Sequence, residues 1–87
     1  MPILSYFFGI YVRMFYNDHA PPHFHVEYQG KRSVIAIDTG QIIRGNLHPK
    51  ALKLVEEWRI KHVSELNRAW ELAKEYQNPP KIDPLEE

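Results

Sequence analysis

Residues 23–40 read HFHVEYQGKRSVIAIDTG, and the register of this stretch decides the fold. In an extended strand, successive side chains point to opposite faces. Phe24, Val26 and Tyr28 therefore share one face, and His23, His25 and Glu27 the other. Gln29-Gly30 supplies a two-residue turn, with glycine for positive φ, and Arg32 to Asp38 returns as the partner strand. That turn sets Tyr28 opposite Lys31, Val26 opposite Ser33 and Phe24 opposite Ile35 on one face. On the other, His25 meets Val34 and Glu27 meets Arg32. A slip of one residue would exchange the faces and turn the histidines into the core.

The flanking segments extend the pattern. Asp38-Thr39-Gly40 makes a second turn before Gln41 to Arg44, and upstream Ile10 to Tyr16 is β-branched and aromatic, interrupted only by Arg13. Gly9 marks a bend or bulge after Phe7 and Phe8. This predicts an antiparallel meander of about four strands over residues 3 to 44. Beyond it the period changes from two to three and four. Pro49 suits a first helical position, and Ala51, Leu52, Val55, Trp58 and His62 fall on one side of a helix over 49–61. Ser64 reads as the cap of a second helix, whose Leu66, Trp70, Ala73 and Tyr76 or Gln77 continue one stripe to the NPP stop at 78–80.

The expectation is an α+β domain, a meander sheet covered on one face by a helical hairpin. Its core should hold Phe24, Val26, Ile35, Ile37, Leu52, Val55, Trp58, Leu66 and Trp70, with both tryptophans as packing residues. The 87 residues form one domain on this reading: β meander 1–45, helical hairpin 46–78 and a proline-containing tail 79–87, where Ile82 and Leu85 are apolar enough to dock.

Eleven Lys and Arg balance eleven Asp and Glu, which excludes a uniformly basic nucleic-acid coat. The balance is uneven, because residues 1–53 carry six basic and three acidic side chains and residues 54–87 carry five and eight. The first part also holds four of the five histidines, which suits a moderately positive face. With no cysteine, a disulfide framework or thiolate zinc site is excluded, and any metal must use nitrogen and oxygen ligands. The N-terminal run lacks a signal-peptide pattern and is too short for a membrane span. A cytoplasmic protein is expected.

Three of the histidines, at 19, 23 and 25, crowd around Pro21-Pro22 in the stretch NDHAPPHFHVEY, residues 17–28. Side chains at i and i+2 of a strand project from one face about 7 Å apart, so His23 and His25 can converge. Two prolines stiffen the link that returns His19 and Asp18 toward them. Three readings follow. His19, His23 and His25 can ligate zinc or another divalent transition metal, with Asp18 or Glu27 as fourth ligand or orienting group. Alternatively they act without metal on an RNA phosphodiester, one imidazole taking a proton and another giving one. In that reading Arg13, Arg32 or Arg44 stabilises phosphoryl charge, and Tyr11, Tyr16 and Tyr28 stack on unpaired bases. Catalysis would fall to His19, His23, His25 and Arg13, and binding to Asp18, Glu27, Arg32 and Tyr16. The third reading is structural: turn caps, an Asx-turn at Asp18 and a Glu27–Arg32 pair, with the polar face used for a protein partner.

FFGIYVRMFYNDHAPPHFHVEYQG at 7–30, IDTG at 37–40, ALKLVEEW at 51–58 and KIDPL at 81–85 together resemble the bacterial domain of unknown function 4160 family, with DH-x-PPHFH as the specific core. The resemblance covers nearly the whole chain and brings no established reaction. It implies a small cytosolic protein encoded beside a second small protein of the domain of unknown function 2442 family, in an arrangement that suggests a toxin-antitoxin pair. The expected function is thus a toxin-antitoxin component that cleaves or binds RNA through its histidine cluster, with a metal-binding protein or a non-catalytic interaction module as alternatives. The neighbouring protein and RNA are the implied partners, and the sequence also leaves a homo-oligomer open. One departure is GNLHP at 45–49, where His48 takes the place the family gives to proline.

Overall fold

The computed structural model describes residues 2–86. Met1 and Glu87, the outer ends of the expected meander and tail, lie outside the described residues. The chain runs through β1 (Ile3–Phe7), β2 (Ile10–Arg13), β3 (His23–Tyr28), β4 (Lys31–Ala36), β5 (Ile42–Gly45), α1 (Pro49–Lys61) and α2 (Val63–Lys74). The strands form one antiparallel meander in the order β1-β2-β3-β4-β5. Five strands replace the expected four or so, because Phe8 (φ 50°) and Gly9 (φ 79°) reverse the chain in two residues where only a bend or bulge was expected. Positive φ at both central positions is the twist-matched hairpin turn. Gln29 (φ 49°) and Gly30 (φ 79°) make the same turn between β3 and β4.

The β3–β4 register is the one read from the sequence: Tyr28 pairs with Lys31, Glu27 with Arg32, Val26 with Ser33, His25 with Val34 and Phe24 with Ile35. β2 ends at Arg13 rather than Tyr16, and the chain leaves the ladder after the Met14 N–H bonds Pro2 O at 3.2 Å.

α1 starts as expected at Pro49, and the departing residue His48 caps it: its Nδ1 accepts the Lys50 N–H at 3.0 Å. Ser64 does not cap α2. Only His62 separates the two helices, which leaves Ser64 already inside the first turn. α2 also stops two residues short of Tyr76. Tyr76 takes φ 58°, its N–H bonds Ala73 O at 3.1 Å, and the Gln77 N–H returns to Leu72 O at 2.9 Å. This is a Schellman ending with tyrosine in the place usually held by glycine, so no glycine announced it.

Alternation places Phe7, Ile10, Val12, Phe24, Val26 and Ile35 on the face beneath the helices, all buried. Trp58 lies fully buried against them, its ring centroid 5.4 Å from Phe7 and 6.0 Å from Phe24, and its indole N–H donates to Asp83 O at 2.8 Å. Val55, Leu66 and Trp70 complete the interior. Leu52, expected in the core, packs only half-buried at its rim. The tail docks as expected: Ile82 and Leu85 are buried, and the Ile82 N–H joins Leu4 O at 2.8 Å. Among the described residues no helix is long and apolar enough to cross a membrane.

The opposite face carries two cross-strand rows. Tyr6, Tyr11, Glu27 and Arg32 run across β1 to β4, and Ile3, Arg13, His25, Val34 and Arg44 cross all five strands. Tyr6, Tyr11, Arg32 and Arg44 are exposed, so this face is left open.

Candidate functional site

The site forms where β3 begins. The loop between β2 and β3 is tied to the end of α2: Asn17, at φ 48°, donates its backbone N–H to Ala73 O at 3.0 Å. Its side-chain amide donates to Tyr76 Oη at 3.1 Å, and Tyr16 Oη donates to Asn78 Oδ1. On the far side the Ile37 N–H anchors Pro22 O at 3.0 Å. Between these anchors the Ala20–Pro21 peptide is cis. The path holds Asp18 over the first residues of β3.

Two imidazoles meet its carboxylate. Asp18 Oδ2 lies 2.9 Å from His23 Nε2 and 3.3 Å from His25 Nε2, and Asp18 Oδ1 accepts the His19 backbone N–H at 2.8 Å. His23 is buried, its ring 5.1 Å from Trp70 and 5.2 Å from His25. The other nitrogen of His23, Nδ1, lies 2.8 Å from Pro21 O; a carbonyl only accepts, so Nδ1 carries a proton. Phe15 stands edge-on to the His25 ring at 4.2 Å between centroids.

Burial pushes the Asp18 carboxyl upward, but the His19 N–H and the bonds from His23 and His25 outweigh it, and the group lies below its ordinary value. For His25 burial lowers the imidazole below its ordinary value; the Asp18 bond opposes this, while the charges of His23 and Arg44 add to it. Asp18 is therefore anionic at neutral pH and His25 is biased toward its neutral form.

His25 also lines a cleft of about 360 Å³ on the open face, walled by Arg13, Arg32, Arg44, Glu27, Phe15 and Val34 among others. Glu27 Oε1 sits 3.9 Å from both Arg13 Nη2 and Arg32 Nε, so one carboxylate faces two guanidinium groups, and Arg44 adds a third to the cleft wall. Arg13 lies over the Tyr11 ring at 5.2 Å, and its Nε is buried with no hydrogen-bond partner among the described residues.

The structure brings together Asp18, His23, His25, Arg13, Glu27 and Arg32. It does not bring in the His19 side chain, which is exposed and lies outside the group of Asp18, His23 and His25 whose ligand atoms all fall within 4.8 Å of one another. Tyr16 is engaged with Asn78 and stacks on Tyr76 at 6.1 Å, and Tyr28 packs on the core side. Of the three stacking tyrosines expected, only Tyr11 stands on the open face, joined there by Tyr6 at 4.6 Å. Phe15 was missed: it leaves the strand pattern and no local signal marks it. Trp70 was read as packing alone, yet its ring also walls His23.

The family model described as Domain of unknown function (DUF4160) matches residues 9–71, a span that contains Asp18, His23, His25 and every residue named in the cleft wall. No curated protein and no solved structure matches the chain.

Proposed function

We propose, for a chain that belongs to the domain of unknown function (DUF4160) family, that it binds single-stranded RNA across the open sheet face and cleaves the phosphodiester seated in the arginine cleft. The observation that carries this reading is the position of His25, which lines the same cleft as Arg13, Arg32 and Arg44 and is fixed from behind by Asp18. Guanidinium groups suit phosphate oxygens because their planar donors meet two at once. Tyr6 and Tyr11 stand exposed beside the cleft, as aromatic platforms for bases do on other sheets. The group of Asp18, His23 and His25 is the reactive end of the site. In a two-gene module of the kind the resemblance implies, this chain would be the toxic half and its small neighbour the inhibitor.

The test is anisotropy with a labelled single-stranded RNA, at two salt concentrations, on the wild type and the Arg13→Ala, Arg44→Ala double variant. Affinity should fall by about tenfold or more and the salt dependence should flatten; equal affinity in the two proteins refutes the reading. His25→Ala should still bind RNA but leave it intact. Expressed without the neighbouring protein, the wild type should arrest growth and degrade transcripts, and His25→Ala should do neither.

A further inference from the structure

The three groups at the head of β3 present an accounting problem. His23 Nδ1 lies 2.8 Å from Pro21 O, and because that carbonyl only accepts, a neutral His23 has its lone pair on Nε2. That lone pair points at Asp18 Oδ2, 2.9 Å away, and Nε2 of His25 faces the same oxygen at 3.3 Å. A ring lone pair and a carboxylate oxygen do not meet at that distance without a cation between them, a proton or a metal ion.

The spacing accommodates the ion. Zinc sits about 2.0–2.2 Å from histidine nitrogen and carboxylate oxygen, which puts neighbouring ligand atoms of a tetrahedron roughly 3.3–3.5 Å apart. The His25–Asp18 pair already has that separation, and the His23–Asp18 pair reaches it by opening a few tenths of an ångström. The surroundings are those of a metal site as well. A ligating imidazole characteristically donates its other N–H to a backbone carbonyl or carboxylate, which fixes the tautomer and aims the lone pair; Pro21 O does this for His23. The Trp70 and Phe15 rings wall the two imidazoles, and the His19 backbone N–H steadies the carboxylate oxygen not aimed at them.

We infer that Asp18 Oδ2, His23 Nε2 and His25 Nε2 hold one divalent transition-metal ion, zinc in the first instance, leaving its remaining positions to water and a phosphate oxygen. His25 belongs to both the trio and the cleft wall, so the ion stands at the edge of the cleft. What the ion does there rests on the RNA reading, and it would polarise the phosphoryl oxygen or activate a bound water; its binding does not rest on that reading. The ligand set differs from the three histidines expected from the sequence, because Asp18 takes the place of His19.

The full chain, stripped with a chelator, is titrated with zinc by calorimetry, and nitrogen-15 spectra of the histidine rings are recorded alongside. One ion per chain is expected, with the Nε2 signals of His23 and His25 moving and that of His19 unchanged. Asp18→Asn and His25→Ala should each weaken zinc binding by at least about tenfold, and His19→Ala should leave it intact. No saturable binding, unmoved Nε2 signals in the wild type, or retention of zinc by both Asp18→Asn and His25→Ala overturns the inference. The ring spectra need no variant, so a variant that fails to fold does not decide the matter. The Arg13→Ala, Arg44→Ala double variant separates the two claims, since it should lose RNA and keep zinc. If the wild type takes up zinc but ignores RNA, the proposed function falls and the ion site stands.

Discussion

The two faces of the sheet are made by the same strands, one residue apart, and they have opposite physical characters. Under the helices, Phe7, Phe24, Val26 and Ile35 close around Trp58, and the large polar side chains admitted there are partnered: the indole N–H of Trp58 by Asp83 O, and the buried Arg59 by Ile37 O at 2.8 Å and Glu56 Oε1 at 2.8 Å. The small hydroxyl of Ser5, opposite Val12, is buried without a partner among the described residues. On the open face, Arg13 and Arg32 share the Glu27 carboxylate and Arg44 joins them in the cleft wall, while Arg13 Nε has no partner among the described residues. Apart from the Ser5 hydroxyl, the first face satisfies these polar groups within the chain. The second lines its cleft with three arginines and one carboxylate, and such a surplus of positive charge suits an anionic ligand.

The largest effect expected from disturbing this arrangement is on the closed face. Trp58→Ala should cost about 3–5 kcal/mol, a large share of the stability a chain of this size has; urea denaturation by circular dichroism checks it. Gly45→Ala tests the edge of the sheet. A Cβ there would meet Arg32 O at 2.2 Å, with φ at 81°, and a loss of roughly 1–3 kcal/mol is expected. Hydrogen exchange should show that loss concentrated in β4 and β5. On the open face the balance inverts: Tyr11→Ala should change stability by less than about 1 kcal/mol while weakening RNA binding by roughly 1–3 kcal/mol, so denaturation and anisotropy on one variant separate the two roles.

The smallest effect concerns pH. The Arg59 hydrogen bond holds the Glu56 carboxyl below its ordinary 4.5, against a burial contribution that raises it. A carboxyl depressed in the folded state adds stability above its unfolded value and loses it as pH falls through the folded one. The stability difference between wild type and Glu56→Gln should therefore be constant near neutrality and vanish on acidification below about 4.5. Glu56 is 44% exposed, so solvent screening keeps the difference small.

Much of the closed face was legible because its signals are local. The alternation of β3 with the Gln29-Gly30 turn predicted every observed β3–β4 pair, and the three- and four-residue spacing from Pro49 predicted α1 to its end. Where the reading departed, a residue adopted a conformation its type does not advertise. Phe8 and Tyr76 take positive φ; the first turned a bend into a hairpin and the second ended α2 early. The single-residue link at His62 removed the cap expected at Ser64. The candidate site was legible in composition and partly in membership, since Asp18, His23 and His25 were all singled out. The roles within it were not: His19 was grouped with the other histidines by proximity in the chain, whereas its ring stands outside the trio.

By itself the sequence determined which residues face the core and which face outward, because a strand has period two and a two-residue turn fixes the register; one pattern in one short segment suffices. Only the tertiary structure decided which outward groups meet. The loop that holds Asp18 over His23 and His25 is positioned by bonds to Ala73, Tyr76 and Asn78 at the far end of the chain, and the cleft draws its arginines from β2, β4 and β5. Groups brought together by long-range anchors leave no periodic trace in the residues between them.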